Sequence, residues 1–124
     1  MKTIVLVVLT LVSACIVGCA TPGPSPVKQQ LEVIVQNDTR QKEAIRQAAQ
    51  QCKTHAYETA TVRDDAAMAL YKGGQISHDQ AMREITEYAH ELDNERQHCV
   101  DEAAYELDAA RGATERQIYA LPHR

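Results

Sequence analysis

Four cysteines carry most of the latent chemistry in this 124-residue chain: Cys15, Cys19, Cys52 and Cys99. A thiol can accept an acyl group, hold a metal, attack an electrophile or close a disulfide, and its surroundings decide which. Cys15 and Cys19 end an apolar run, whereas Cys52 and Cys99 sit in polar, alanine-rich sequence. His55 follows Cys52 by one helical turn, and His98 directly precedes Cys99. Two sulfurs and two imidazoles suit zinc by ligand type. Neighbouring helical residues point ~100° apart, however, so His98 and Cys99 do not aim at one centre. The metal alternative reduces to Cys52, His55 and Cys99, and the two cysteines read first as a disulfide.

Other candidates are weaker. His90-Glu91-Leu92-Asp93-Asn94 begins like a zinc-protease helix, but Asn94 stands where a second histidine would be needed. Arg63, Asp64, Asp65, Arg83, Glu84, Glu87 and Glu91 read as a solvated helix surface. Carboxylates that hydrolyse need a cleft to raise one pKa, and no phosphate loop or nucleophile elbow occurs either. No catalytic residue and no cofactor is expected, and the chain reads as a non-enzyme. Tyrosine joins apolar area to a polar tip and favours interfaces. Tyr57 and Tyr105 are the interaction candidates, while Tyr88 is expected in the core.

The elements that hold these residues begin with an address. Lys2 is the only charge before Lys28, and TIVLVVLTLV follows it, about the length of a signal-peptide core. Small residues then lead twice to cysteine, in Val12-Ser13-Ala14-Cys15 and Ile16-Val17-Gly18-Cys19. Both windows resemble the lipobox of bacterial lipoprotein signal peptides. The resemblance implies a diacylglycerol on the thiol, cleavage just before it, and acylation of the new amine. Cys19 is favoured over Cys15, because cleavage there leaves Ala-Thr-Pro-Gly-Pro-Ser-Pro as a flexible tether. The competing reading is an uncleaved anchor over residues 3–20, ~18 residues against the ~20 that a span requires. A signal peptide is thus expected at 1–18, a lipidated Pro-rich tether at 19–30 and a helical domain at 31–124. Ala20, rather than aspartate, follows the lipidated cysteine. The resemblance then implies the outer membrane, facing the periplasm, with a Gram-positive surface as the alternative.

Composition narrows the rest. Loss of residues 1–18 would leave 106 residues, one domain, with a formal net charge of −5 because Lys2 leaves with them. The cations are scattered among acids, which argues against nucleic acid as a partner. There is no Phe or Trp and much of the apolar content is alanine, so the core must be thin and in want of a staple or a partner.

Periodicity predicts an all-α, antiparallel two-helix hairpin, coiled-coil-like and stapled by a Cys52–Cys99 disulfide. The first helix is expected over about 39–72, opened by Asp38 with Gln41, its stripe Ile45, Ala48, Cys52, Ala56, Thr59, Val62, Ala66 and Leu70. Gly73-Gly74 ends it, and Ser77 with Gln80 caps a second helix over about 78–111. That stripe is Ala81, Ile85, Tyr88, Leu92, Cys99, Ala103, Leu107 and Ala110, interrupted at Glu95, with Gly112 as an end or weak point. Cys52 and Cys99 lie at equal distances from the turn and so face each other. Both helices are expected to weaken where Asp38 meets Gly112. LEVIV (31–35) is expected to continue the helix or to dock on Ile118 and Leu121.

A two-helix hairpin leaves apolar faces uncovered, which predicts a second copy of the chain or an envelope protein as partner, beside the membrane itself. The expected role is a non-enzymatic, lipid-anchored structural or accessory factor. The alternative is a specific binding or inhibitory module, such as an exclusion factor, a hydrolase inhibitor or a lysis component. Comparison with the major peptidoglycan-tethering lipoprotein stops at the anchor, since this chain ends Leu-Pro-His-Arg and turns at Gly-Gly.

Overall fold

The computed structural model describes residues 22–122, and Cys15, Cys19, the expected signal peptide and the first residues of the expected tether lie outside them. Two helices make up the described chain: α1 (Pro26–Lys72) and α2 (His78–Tyr119). At ~1.5 Å per residue they run ~70 and ~63 Å, side by side and antiparallel.

Both helices are longer than the sequence reading expected. α1 opens thirteen residues early, with Ser25 as N-cap accepting from the Lys28 amide at 3.3 Å and Pro26 as first helical residue. Pro fits there because its missing N–H would have no partner anyway. The tether therefore ends at Ser25 instead of residue 30, and Leu31–Val35 is helical. Asp38 is no cap. It sits inside α1, paired with Lys42 at 2.7 Å and accepting from the Thr114 hydroxyl of α2 at 2.7 Å. That cross-helix contact lies where weakening was expected, and both helices run on past it. α2 continues through Gly112 and stops before Pro122, which has no N–H to carry it further.

The turn follows the expected chemistry. Gly74 has φ +72°, the Gln75 amide donates to the Leu70 carbonyl, and the Gly74 amide donates to that of Tyr71. These two bonds form a Schellman cap, which satisfies carbonyls that the helix end leaves open. Ser77 then accepts from the Gln80 amide at 3.1 Å to start α2.

The seam is built from small residues. Ile45, Ala56, Ala60 and Ala67 are buried on α1, and Ala81, Cys99 and Ala110 on α2. The α2 stripe is as expected: each of its eight residues is buried or half-buried. The α1 stripe is rotated. Ala48, Cys52, Thr59, Val62, Ala66 and Leu70 are exposed, while Ala49, Ala60 and Ala67 turn inward. Close approach of two helices selects alanine there over the larger Val62 and Leu70.

Inward positions repeat every eleven residues, as in Ile45, Ala56 and Ala67 or in Tyr88, Cys99 and Ala110. Eleven residues in three turns favours a slight right-handed supercoil over the left-handed one of a heptad repeat. With Asp38 opposite Thr114, the same register sets Ala60 opposite Leu92 and Ala67 opposite Ile85, small against large.

Candidate functional site

The disulfide joins Cys52 to Cys99 with Cα atoms 5.9 Å apart, a separation typical of such bonds. Cys99 is 3% exposed, a seam residue, whereas Cys52 stands exposed beside the seam. The bond therefore marks one flank of the hairpin and gives that flank an accessible sulfur.

Two shallow depressions adjoin it. One gathers Ala48, Glu102 and Glu106 with the cysteines, and the other gathers His55, Thr59, Glu95 and His98. His55 and His98 thus come to the same depression as Cys52 and Cys99, although His98 and Cys99 are neighbours in sequence. Both sulfurs are bonded to each other, so neither of the thiols in the metal alternative is free to ligate. Among the described residues no group of three or more His, Cys, Asp or Glu is arranged to hold a metal ion.

Toward the turn, Arg63 crosses the same flank. Its guanidinium lies 4.6 Å from the Tyr88 ring centre and donates to Glu91. The bond to Glu91 raises the Arg63 pKa, so the cation is fixed. Arg63 and Tyr88 were expected apart, one as ordinary surface charge and one in the core. The clue lay in the spacing: Arg63 is three turns after Cys52 and Tyr88 three turns before Cys99, so the pair repeats the disulfide's placement. Asp64 beside it is half-buried, and its Oδ1 has no hydrogen-bond partner among the described residues.

This flank is lopsided in charge. α2 brings Glu91, Glu95, Glu102 and Glu106, while α1 answers with Ala48, Cys52, His55, Thr59 and one cation, Arg63. Among the described residues this flank is an open surface with shallow depressions beside the disulfide.

Tyr57 and Tyr105 are 64% and 78% exposed and do not come together. Tyr57 lies five residues from the disulfide toward the turn and Tyr105 six residues away from it, ~17 Å apart along the axis. Tyr71 instead packs edge-on against His78 at the turn, with ring centres 5.4 Å apart.

At the open end, Pro26, Val33 and Ile34 of α1 and Ala120 and Leu121 beyond α2 line an apolar groove. Of the two outcomes expected for LEVIV, the segment continues the helix, and its Val33 and Ile34 share this groove with Leu121. No helix among the described residues is long and apolar enough to cross a membrane. No family model, curated protein or solved structure matches the chain.

Proposed function

We propose that this protein is a non-enzymatic, lipid-anchored component of the bacterial cell envelope, acting as a structural or accessory factor through protein–protein contact. The supporting observation is the outward placement of its contact-forming side chains on a stapled rod. Tyr57, Tyr105 and Val62 all face solvent. Protein partners bury such surfaces, and a rigid, cross-linked hairpin presents them at low entropic cost. The Ile16-Val17-Gly18-Cys19 window and the Pro-rich stretch behind it support an acyl anchor on Cys19, with Cys15 as the other acceptor. A disulfide between Cys52 and Cys99 suits an oxidising compartment such as the periplasm. The address proposed is the outer membrane, with the hairpin on its periplasmic side.

Intact mass of protein extracted from the envelope tests the anchor. Cleavage before Cys19 with added acyl mass supports it, and an unacylated mature chain removes it. Cross-linking of the tagged protein in living cells tests the role. One dominant envelope partner, lost on substitution of Tyr57 or Tyr105, selects a binding or inhibitory module. Self-cross-links alone select a homo-oligomeric structural protein.

A further inference from the structure

We propose that the open end of the hairpin is itself a lipid-docking surface, seating the rod end-on upon the bilayer. The inference rests on the membrane address proposed above, and it holds whether Cys19 is acylated or residues 3–20 stay in the membrane.

Away from this end the rod is mostly polar outside its seam, but the start of α1 is apolar over about half its circumference, with Lys28, Glu32 and Gln36 on the remaining side. Leu31, Val33 and Val35 are exposed there, and Ile118 and Tyr119 are exposed on the last turn of α2 beside them. An apolar arc that wide needs cover beyond one partner helix. The location of the chain's own N-terminus supplies the cover. Seven residue-to-residue steps lead from Cys19 to Pro26, ~25 Å at full extension, so an anchor near Cys19 keeps these side chains within reach of lipid.

The surrounding residues fit the same occupant. Tyr119 is 77% exposed, as suits an aromatic ring at the headgroup level. Lys28 and Arg116 bring cations to the same end, which anionic headgroups attract, and Glu32 and Glu115 oppose them in part. These exposed apolar residues gather within the first turns of α1 and the last turn of α2, at the end from which the chain leads back toward Cys19. Contact is therefore end-on, and the Gly73-Gly74 turn points away from the bilayer.

The chain contains no tryptophan, so a single one reports its own surroundings. Full-length Val33→Trp and Val62→Trp proteins, matured in cells, would be placed in phosphatidylethanolamine–phosphatidylglycerol vesicles carrying brominated acyl chains. Flotation and intact mass would be measured on the same samples. Val62 is equally open to water but thirty-six residues along α1 from Pro26. Docking predicts blue-shifted emission for Val33→Trp and bromine quenching several-fold above that of Val62→Trp. Vesicle-bound protein whose two tryptophans are quenched equally weakly overturns docking and leaves the anchor standing. A blue shift in Val33→Trp that grows with protein concentration without bromine quenching also overturns it, in favour of a second copy covering the end. Protein that neither floats nor carries acyl mass or residues 3–20 removes anchor and docking together.

Discussion

The guanidinium of Arg63 on α1 stands over the Tyr88 ring of α2, 4.6 Å from its centre, while it donates to Glu91 one turn further along. One side chain thus crosses the seam twice, once by stacking and once by charge. A planar guanidinium does both, whereas a lysine ammonium would keep the charge and lose the fork.

Melting temperatures should therefore fall in the order wild type, Arg63→Lys, Arg63→Ala. Glu91→Gln should cost less than Arg63→Ala, because the stacking on Tyr88 survives it. Added salt should narrow the gap between wild type and Glu91→Gln more than that between Glu91→Gln and a Glu91→Gln/Arg63→Ala double variant. Circular dichroism melts of the five proteins, at low and high salt, check the order.

The disulfide spans 47 residues of sequence, and closing a loop of that size in the unfolded chain stabilises the fold by ~4 kcal/mol on the chain-entropy account. For so thin a core that is a large share of ordinary domain stability. Cys52→Ser/Cys99→Ser should melt well over ~10 °C below wild type. Wild type in excess reductant should approach the same midpoint, and a midpoint insensitive to reductant would show that packing alone holds the hairpin.

Gly74 and Gly112 should respond in opposite directions. Gly74 is held at φ +72°, so Gly74→Ala should lose ~1–2 kcal/mol in chemical denaturation. Gly112 lies inside α2, and a methyl there would meet only the Arg116 side chain at 3.5 Å, an ordinary contact. Gly112→Ala should gain up to ~1 kcal/mol.

Ala66 and Ala67 are neighbours with opposite fates. Ala67 is 2% exposed in the seam, and Ala66 faces water. Ala67→Leu should destabilise by ~1–3 kcal/mol through overpacking. Ala66→Leu should stay within ~0.5 kcal/mol of wild type. Equal costs at both positions would show that the seam does not run through Ala67.

Asp38 accepts from Lys42 and from Thr114, and these bonds, that to Lys42 first, hold its carboxyl below its usual pKa. A depressed folded pKa contributes stability that is present above the unfolded value and lost as pH falls through the folded one. Wild type should therefore outlast Asp38→Asn at neutral pH, and the difference should close below pH ~4. Melts from pH 7 to pH 2 follow it. A difference that persists unchanged at pH 2 would assign the effect to packing.

The hairpin, its turn and its staple were legible because each rests on a strong local signal: adjacent glycines, a Ser-x-x-Gln cap, and two cysteines at matched distance from them. The α2 stripe was legible too, since Ile85, Leu92 and Leu107 mark it with bulk. The α1 stripe was not. Its seam runs through one member each of Ala48-Ala49, Thr59-Ala60 and Ala66-Ala67, and hydropathy barely separates such neighbours. Val62 and Leu70 then drew the pattern to the wrong side. The start of α1 was hidden in a stretch whose prolines read as a tether, although Ser25 before Pro26 is an N-cap followed by the one helical position that welcomes proline. Among the surface features, Tyr57 and Tyr105 stood out by residue type, which left their exposure open. The Arg63–Tyr88–Glu91 cluster needed the register as well.

The staple and the turn together make residues 52–99 a closed covalent ring with two tails. A single backbone cut within the ring leaves every atom of the protein joined, and the nick appears on a gel only after reduction. A single cut in either tail sheds a fragment at once. Proteolytic damage to this hairpin is thus graded by place: the turn half survives severing, and the open half, which carries the chain's termini, does not.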